Sequence, residues 1–450
     1  MRRLASLALA VAALAAPVAA AEPGIPQPGP PNPPLKLVSD KRMDARLHEL
    51  TFKTPYLNDT TPVRVLLPEG YDPSSSRRYP VLYLLHGCCD DWRSWTDKGA
   101  AEKLTAKLPL IVVMPDASAR NSQDGWYSDW YNGGSFGNPR WESYHVGQLI
   151  PWVDAHYRTV ASRTGRAVAG LSMGGFGAMT YATRHPDLFV AAAAFSGAVD
   201  SNDPAPIGAL AFGGFGGAWG QRPADEVRWR AHNPWDLAGN LRGLSLTLRT
   251  GDGTPGGPYD SPPASLGGDA VEYAVHREMV NLHGRLDNLH IAHIWQDYGP
   301  GTHDWPYWAR DLKLTLPTFM AAFADPPAPP DPFDFTVAEP DFEAYGYRVT
   351  MHRAVLEFAT LEDVRAAGFS LVGTGTADVV TAARYARGAR YTVVTGDGAG
   401  TTSHTSTLRS DAQGRLHLHL DLGPSNTTQE YTLGQPNPKR TVSVRIRRTR

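Results

Sequence analysis

Ser172 stands between glycines in the stretch Gly170-Leu171-Ser172-Met173-Gly174-Gly175, which follows a short apolar run, Ala167 to Ala169, and precedes an alanine-rich helical segment. A sharp strand-to-helix turn of this kind lifts a serine hydroxyl clear of a sheet, and its tight backbone demands glycine on both sides. Such a serine is suited to attack on a carbonyl, which requires a base, an acid to orient that base, and N–H donors for the oxyanion. Turns of this type take their partners in the chain order serine, acid, histidine. His303, within Gly301-Thr302-His303-Asp304-Trp305, follows the apolar run Ile291 to Trp295 and precedes Leu312, Leu316, Phe319 and Phe323 at helical spacing, which makes it the candidate base. Position alone would put the acid at Asp252, at the end of the run Leu244 to Arg249, and Asp260, Asp269 and Glu272 follow within one loop. Upstream, Val81 to Leu85 leads into His86-Gly87-Cys88, so the backbone N–H groups of Cys88 and Met173 are the candidate oxyanion donors.

These groups converge only if strands alternate with helices. The runs Val81 to Leu85, Leu110 to Met114, Ala167 to Ala169, Val190 to Phe195, Leu244 to Arg249 and Ile291 to Trp295 do alternate with helical segments, the pattern of an α/β domain with a mostly parallel, doubly wound sheet over residues 45–324. A proline-rich linker follows at 325–332; it cannot continue a helix or feed a sheet ladder. It predicts a catalytic domain that folds and works without what comes after it. Beyond the linker the period becomes two: Leu416, Leu418, Leu420 and Leu422 alternate with polar residues, as do Val442, Val444 and Ile446, and Asp411-Ala412-Gln413-Gly414 offers a hairpin turn. Residues 333–450 are therefore predicted to form a smaller all-β, sandwich-like domain. His417 and His419 share a strand face with no acidic or cysteine companion at ligand spacing, and are expected to be solvated rather than metal-bound.

Composition sets the limits. With 450 residues, 42% hydrophobic and a formal net charge of -2, the chain can bury a large core and has no charge bias toward nucleic acid. Arg2 and Arg3, the apolar run Leu4 to Ala16 and Ala19-Ala20-Ala21 read as a secretory signal peptide over residues 1–21, with a flexible proline-rich stretch over 22–44. No other segment is apolar for long enough to span a bilayer, so an extracellular protein is expected. Cys88 and Cys89 are adjacent. A disulfide between them would hold the Cα atoms about 3.8 Å apart, against the usual range of roughly 4.4 to 6.8 Å, so free thiols are expected.

Five stretches carry a resemblance: the serine turn, Leu84-Leu85-His86-Gly87, Trp126-Tyr127-Ser128-Asp129-Trp130-Tyr131, Trp141-Glu142-Ser143 and Gly301-Thr302-His303-Asp304-Trp305-Pro306-Tyr307-Trp308. Together they resemble esterase D-type serine esterases and, within that group, the secreted mycolyltransferases. The resemblance runs in order from Ala45 to Ala324 and implies the α/β-hydrolase fold. It also implies Glu272 as the acid, because Gly253-Thr254-Pro255 and Leu266-Gly267-Gly268-Asp269 are similar to stretches upstream of the mycolyltransferase glutamate. Asp269 is the alternative, since other esterase D-like proteins use an aspartate opening the same helix, and Asp252 retains its positional claim. A substrate surface is implied at His86, Trp126, Asp129, Trp130, Phe212, Trp219 and Trp305. Within it, Ile207, Leu210, Phe212, Phe215 and Trp219 resemble the insertion that covers the mycolyltransferase acyl channel. Mycolyltransferases carry an aspartate where this chain has His86, a departure that favours water over a sugar as acceptor.

The expected protein is a secreted serine carboxylic ester hydrolase working through an acyl-enzyme, with no metal or cofactor, on a small-molecule, glycan or lipid ester. One alternative is an acyltransferase that passes the acyl group to a sugar hydroxyl. Another is a non-catalytic secreted binding protein on the same fold. No nucleic-acid partner and no membrane span are expected, and the C-terminal domain is expected to serve association with cell wall or polysaccharide.

Overall fold

The computed structural model describes residues 33–118, 124–131, 137–204, 216–260, 266–398 and 403–449. The expected signal peptide lies outside the described residues. Strands β1 (Lys36–Arg42), β2 (Leu47–Lys53) and β3 (Thr61–Leu66) form an antiparallel flank. Strands β4 (Val81–Leu85), β5 (Ile111–Pro115), β6 (Arg166–Leu171), β7 (Ala191–Phe195), β8 (Ser245–Thr250) and β9 (Ile294–Asp297) form a parallel array. The nine strands make one sheet in the order β1-β2-β3-β5-β4-β6-β7-β8-β9. Strands β4 to β7 are buried along their whole length, as near-continuous apolar runs covered on both faces must be.

Period-two alternation sorts the side chains of these strands. Tyr83, Val168, Ala192 and Leu248 face helices α1 (Met173–Arg184) and α2 (Leu266–Asn288), meeting Phe176, Met179, Met279 and Leu282 in one core. Leu82, Ala169, Ala193 and Phe195 face helix α3 (Trp305–Ala324), where Leu312, Leu316 and Phe319 bury the stripe read from sequence. Each such side chain contributes about 1.5–3 kcal/mol when fully buried. Asp304 caps α3, accepting from Trp305 N at 2.7 Å, so the helix starts immediately beyond His303.

Two strand expectations are corrected. The stretch 22–44, expected to be flexible, contains β1, paired with β2 from Lys36↔Lys53 to Arg42↔His48. Every β1 side chain is exposed, so no hydrophobic period marks it. The strand expected from Ile291 starts at Ile294; Ile291 is spent closing α2, its N–H donating to Leu286 O at 2.9 Å.

The C-terminal residues form two antiparallel sheets. Strands β10 (Phe333–Val337), β13 (Ala359–Arg365), β14 (Gly368–Gly373), β16 (Arg390–Asp397), β17 (Ser403–Arg409) and β19 (Arg440–Arg448) make one; β11 (Asp341–Ala344), β12 (Tyr347–His352), β15 (Thr376–Val380) and β18 (His417–Asp421) make the other. Their apolar faces share a core that includes Leu361, Leu371, Val393 and Val444 from the first sheet and Val349, Val379, Leu418 and Leu420 from the second. The turn Asp411 to Gly414, expected in a hairpin, instead carries the chain from β17 in one sheet to β18 in the other. Asp411 holds it by accepting from Gln413 N and Arg415 N at 2.9 and 2.8 Å.

The sandwich is packed on the α/β unit. Val227, Ala231 and Leu237 share a buried apolar cluster with Ala338 and Phe358. Asn240 Nδ2 donates to Thr336 O at 2.8 Å while its Oδ1 accepts from Thr336 N at 2.9 Å. Arg184 bridges Glu142 at 2.8 Å and Glu339 at 2.7 Å. Burial alone would raise the Glu142 carboxyl, but the Arg184 and His185 charges overcome it and hold it well below the usual carboxylate range. The linker prolines are also engaged, since Arg163 Nη1 donates to Pro327 O at 2.7 Å.

Candidate active site

Strand β6 ends at Leu171 and α1 begins at Met173, so the whole reversal falls on Ser172, whose φ of 51° and ψ of −122° lie in a region that side-chain-bearing residues avoid. Three backbone bonds hold it there: Ser172 N donates to Phe195 O on the neighbouring strand and Phe176 N donates to Ser172 O, both at 3.0 Å, and Ala198 N donates to Ser172 O at 3.3 Å. The glycine requirement is steric. A Cβ on Gly170 would sit 2.1 Å from Gly174 O, and one on Gly174 would sit 2.5 Å from both Leu85 O and His86 O. Met173 supplies the first N–H of α1, which has no acceptor within the helix and lies at its positive end.

Glu272 and His303 meet. His303 Nδ1 lies 2.7 Å from Glu272 Oε2. Glu272 is fully buried in α2, and its Oε1 accepts from Ser196 Oγ and Gly251 N at 2.8 Å and from Thr250 Oγ1 at 3.2 Å. A buried carboxylate with its lone pairs used in this way is fixed in place, and it selects the His303 tautomer that carries its proton on Nδ1. The imidazole also meets Trp308 edge-on, with ring centroids 4.8 Å apart. Among the described residues the other three acids make no hydrogen bond with His303, and Asp260 Oδ1 accepts from Tyr307 OH at 2.6 Å. Asp252 Oδ1 accepts from Thr254 N at 2.7 Å in its own loop, and Asp269 lies in the first turn of α2, one turn before Glu272. Sequence reasoning missed Ser196, Thr250 and Gly251. All three lie at the carboxyl ends of β7 and β8, where ligand and catalytic groups gather in open parallel sheets, and that position was the available signal.

His86 is corrected from substrate contact to loop support. It is 1% exposed; Ala117 N donates to its Nε2 at 2.9 Å and its Nδ1 donates to Gly87 O at 2.8 Å. Those partners fix the ring and the carbonyl that precedes Cys88. Tyr127 OH, also buried, donates to His86 O at 2.9 Å. On the same loop Cys88 Sγ donates to Asp124 Oδ2 at 3.0 Å, and Cys89 N donates to Asp124 Oδ1 at 3.3 Å. Burial and the Asp124 charge push the Cys88 thiol far above its ordinary value, so it stays protonated.

The aromatic motifs are likewise mostly scaffold. Trp126, Trp130 and Trp219 are buried, and Trp130 and Trp219 line a cavity together with Asp129. Trp126, Phe176 and Trp219 form a ring cluster at 5.4–5.9 Å behind α1, and Trp130 Nε1 donates to Gly125 O at 3.0 Å. Asp129 is engaged by Ser143 N at 2.9 Å and Arg140 Nε at 3.3 Å, at the start of the helical turn Trp141–Tyr144, so it too braces the fold. Trp305 keeps partly exposed area, packed edge-on between Trp95 and Trp308 at 5.2 and 5.3 Å. Phe212, with Ile207, Leu210 and Phe215, lies outside the described residues.

A mostly parallel sheet with a strained serine at the carboxyl end of β6, followed in chain order by an acid and a histidine, defines an α/β-hydrolase fold. A model of the putative esterase family matches residues 54–319, and the chain belongs to that family. It is 37% identical over 282 residues to esterase Rv1288 of Mycobacterium tuberculosis, covering 60% of this chain and 58% of that one. It is 33% identical over 261 residues to the diacylglycerol acyltransferase/mycolyltransferase Ag85B of Mycobacterium leprae, covering 53% of this chain and 74% of that one. The chain thus spans 58% of the length of the esterase it matches. Among solved structures, an S-formylglutathione hydrolase from Agrobacterium tumefaciens shares the fold, with a TM-score of 0.51 at 19% identity over 63% of this chain and 98% of that one. Among the described residues no helix is long and apolar enough to cross a membrane.

Proposed function

We propose that this chain is a secreted serine carboxylic ester hydrolase that works through an acyl-enzyme. The observation that carries the reading is the 2.7 Å Glu272–His303 contact, made by a buried glutamate whose second oxygen is held by three donors. With Nδ1 committed to Glu272, Nε2 of His303 is the nitrogen that takes the Ser172 hydroxyl proton as Oγ bonds to the ester carbonyl carbon. Cys88 N–H and Met173 N–H stabilise the resulting oxyanion. Its collapse breaks the carbon–oxygen ester bond, and His303 returns the proton to the leaving alkoxide. Water then repeats the sequence on the acyl-enzyme, freeing the acid and Ser172. Glu272 orients the ring and stabilises the imidazolium.

Transfer of the acyl group to a sugar hydroxyl is the second reading, favoured by the 33% identity to Ag85B. Hydrolysis and transfer use the same residues and differ only in which hydroxyl reaches the acyl-enzyme. The buried His86 offers no contact to either acceptor. The test is labelling by a fluorophosphonate followed by peptide mapping, run beside p-nitrophenyl ester cleavage with and without trehalose. A label on Ser172 and free acid as the main product are expected. An unlabelled folded protein overturns the mechanism, and acyl-trehalose as the main product reverses the choice of acceptor.

A further inference from the structure

Near the carboxyl end of α2, two histidines and an aspartate come together. His283 and Asp287 are spaced i, i+4 on the helix and so project from one face, as paired ligands on a helix do. His293 reaches them from the connection between α2 and β9; its Nε2 lies 2.8 Å from His283 Nδ1 and 4.0 Å from Asp287 Oδ1. His283 Nε2 lies 3.5 Å from Asp287 Oδ2. One ligand atom from each of the three fits within 4.8 Å of the others.

We propose that His283, Asp287 and His293 bind a divalent transition-metal ion of the zinc type. The donor set is right for it: two imidazoles and a carboxylate are three of the four ligands of a tetrahedral site, with water completing the shell. The surroundings prepare it as well. His293 Nδ1 donates to Ile291 O at 2.8 Å, which leaves the lone pair on Nε2 facing the cluster, the outer bond that metal-ligating histidines use to fix their tautomer. His293 is almost fully buried, with a side chain 3% exposed, while Asp287 at 60% leaves a path for the ion. The His283 ring is held flat against Trp295, with centroids 4.6 Å apart and planes 7° from parallel. Two nitrogens on a tetrahedral ion with bonds of about 2.0–2.1 Å stand roughly 3.3 Å apart, so the rings need part by only about half an ångström as the ion replaces the proton between them.

The ion would fasten the carboxyl end of α2 to the chain entering β9. Glu272 lies toward the start of α2, about 16 Å along its axis from His283 at ~1.5 Å per residue, and His303 follows β9. The clamp therefore joins the two elements that present the Glu272–His303 pair while staying clear of the pair itself. His276 Nε2 to Asp297 Oδ2 at 2.8 Å already ties the same two elements nearer the site.

The test is calorimetric titration of the full chain with zinc chloride. Cys88, Cys89 and Asp124 form another cluster of ligand type, so a C88S/C89S background isolates the histidine site. In that background one equivalent of zinc should bind and raise the melting temperature. H283A/H293A should lose that equivalent, and the exposed-site variant D287N should bind at least about tenfold more weakly with its metal-free melting temperature unchanged. No uptake at about 100 μM zinc, or equal uptake by D287N and the parent, overturns the proposal whether or not the double histidine variant folds.

Discussion

The α/β unit and the C-terminal sandwich both bring histidines against carboxylates, and the two settings differ in what surrounds the pair. At the sheet end, Glu272 is fully buried and tied by three further donors, and His303 is only 11% exposed. On the sandwich, Asp378 lies between His352 and His419 at 2.7 and 2.8 Å, but all three side chains are more than half exposed. Those histidines hold the Asp378 carboxyl below its ordinary value, yet water screens the group, and nothing fixes which partner it keeps. Burial and outer hydrogen bonds hold the Glu272–His303 contact in one geometry. The same contact on an open strand face is surface electrostatics.

The comparison breaks first at the serine. Ser172→Ala and His303→Ala should each cut ester turnover by roughly 10⁴ or more with little further loss when combined, because the groups act as a unit. Either variant, folded by circular dichroism yet turning over substrate at a tenth of the parent rate, would remove the site from the mechanism. Glu272→Gln should follow with a loss of about 10² to 10⁴, since it disturbs the tautomer without removing the base. Asp269→Asn and Asp252→Asn should stay within a few-fold of the parent in the same assay, and a crippled Asp269→Asn would move the acid by three residues.

His86→Ala tests whether a buried loop support acts through the oxyanion donor it steadies. Loss of its bonds to Ala117 N and Gly87 O should lower turnover about 10- to 100-fold, with kcat falling more than KM rises, and destabilise the fold by about 1–3 kcal/mol in urea titration. Ending the chain after Asp325 should leave cleavage of a small soluble ester within a few-fold at low temperature. It should also lower the melting temperature, because Val227, Ala231 and Leu237 lose the cover of Ala338 and Phe358; the cost is on the order of 3 kcal/mol. An unchanged melting temperature would make the two units independent. The smallest effect belongs to the sandwich histidines: His352→Ala and His419→Ala should change turnover not at all and stability by no more than about 0.5 kcal/mol.

Much of this was legible in the residues. Glycines on both sides of Ser172 announced the turn, because no other residue tolerates the approach of Gly170 and Gly174 to neighbouring backbone. Continuous apolar runs announced a parallel sheet covered on both faces, and the stripe Leu312, Leu316 and Phe319 announced the face of α3. Strand β1 was silent, because a strand exposed on every side chain has no period to read. The turn at Asp411 was recognised as a turn, but whether a turn pairs two strands or passes the chain between sheets depends on which edges are free.

Tertiary structure alone decided the partners. Four acids lay within reach of His303 in sequence, and only the folded α2 brings Glu272 to it. The resemblance placed Trp126, Trp130, Trp219 and His86 on a substrate surface; in the fold all four are buried. Residue type and spacing determined which chemistry was available to this chain. Burial determined which of the available groups are held in one geometry, because a group withdrawn from water and bonded by its neighbours has no alternative partner to turn to.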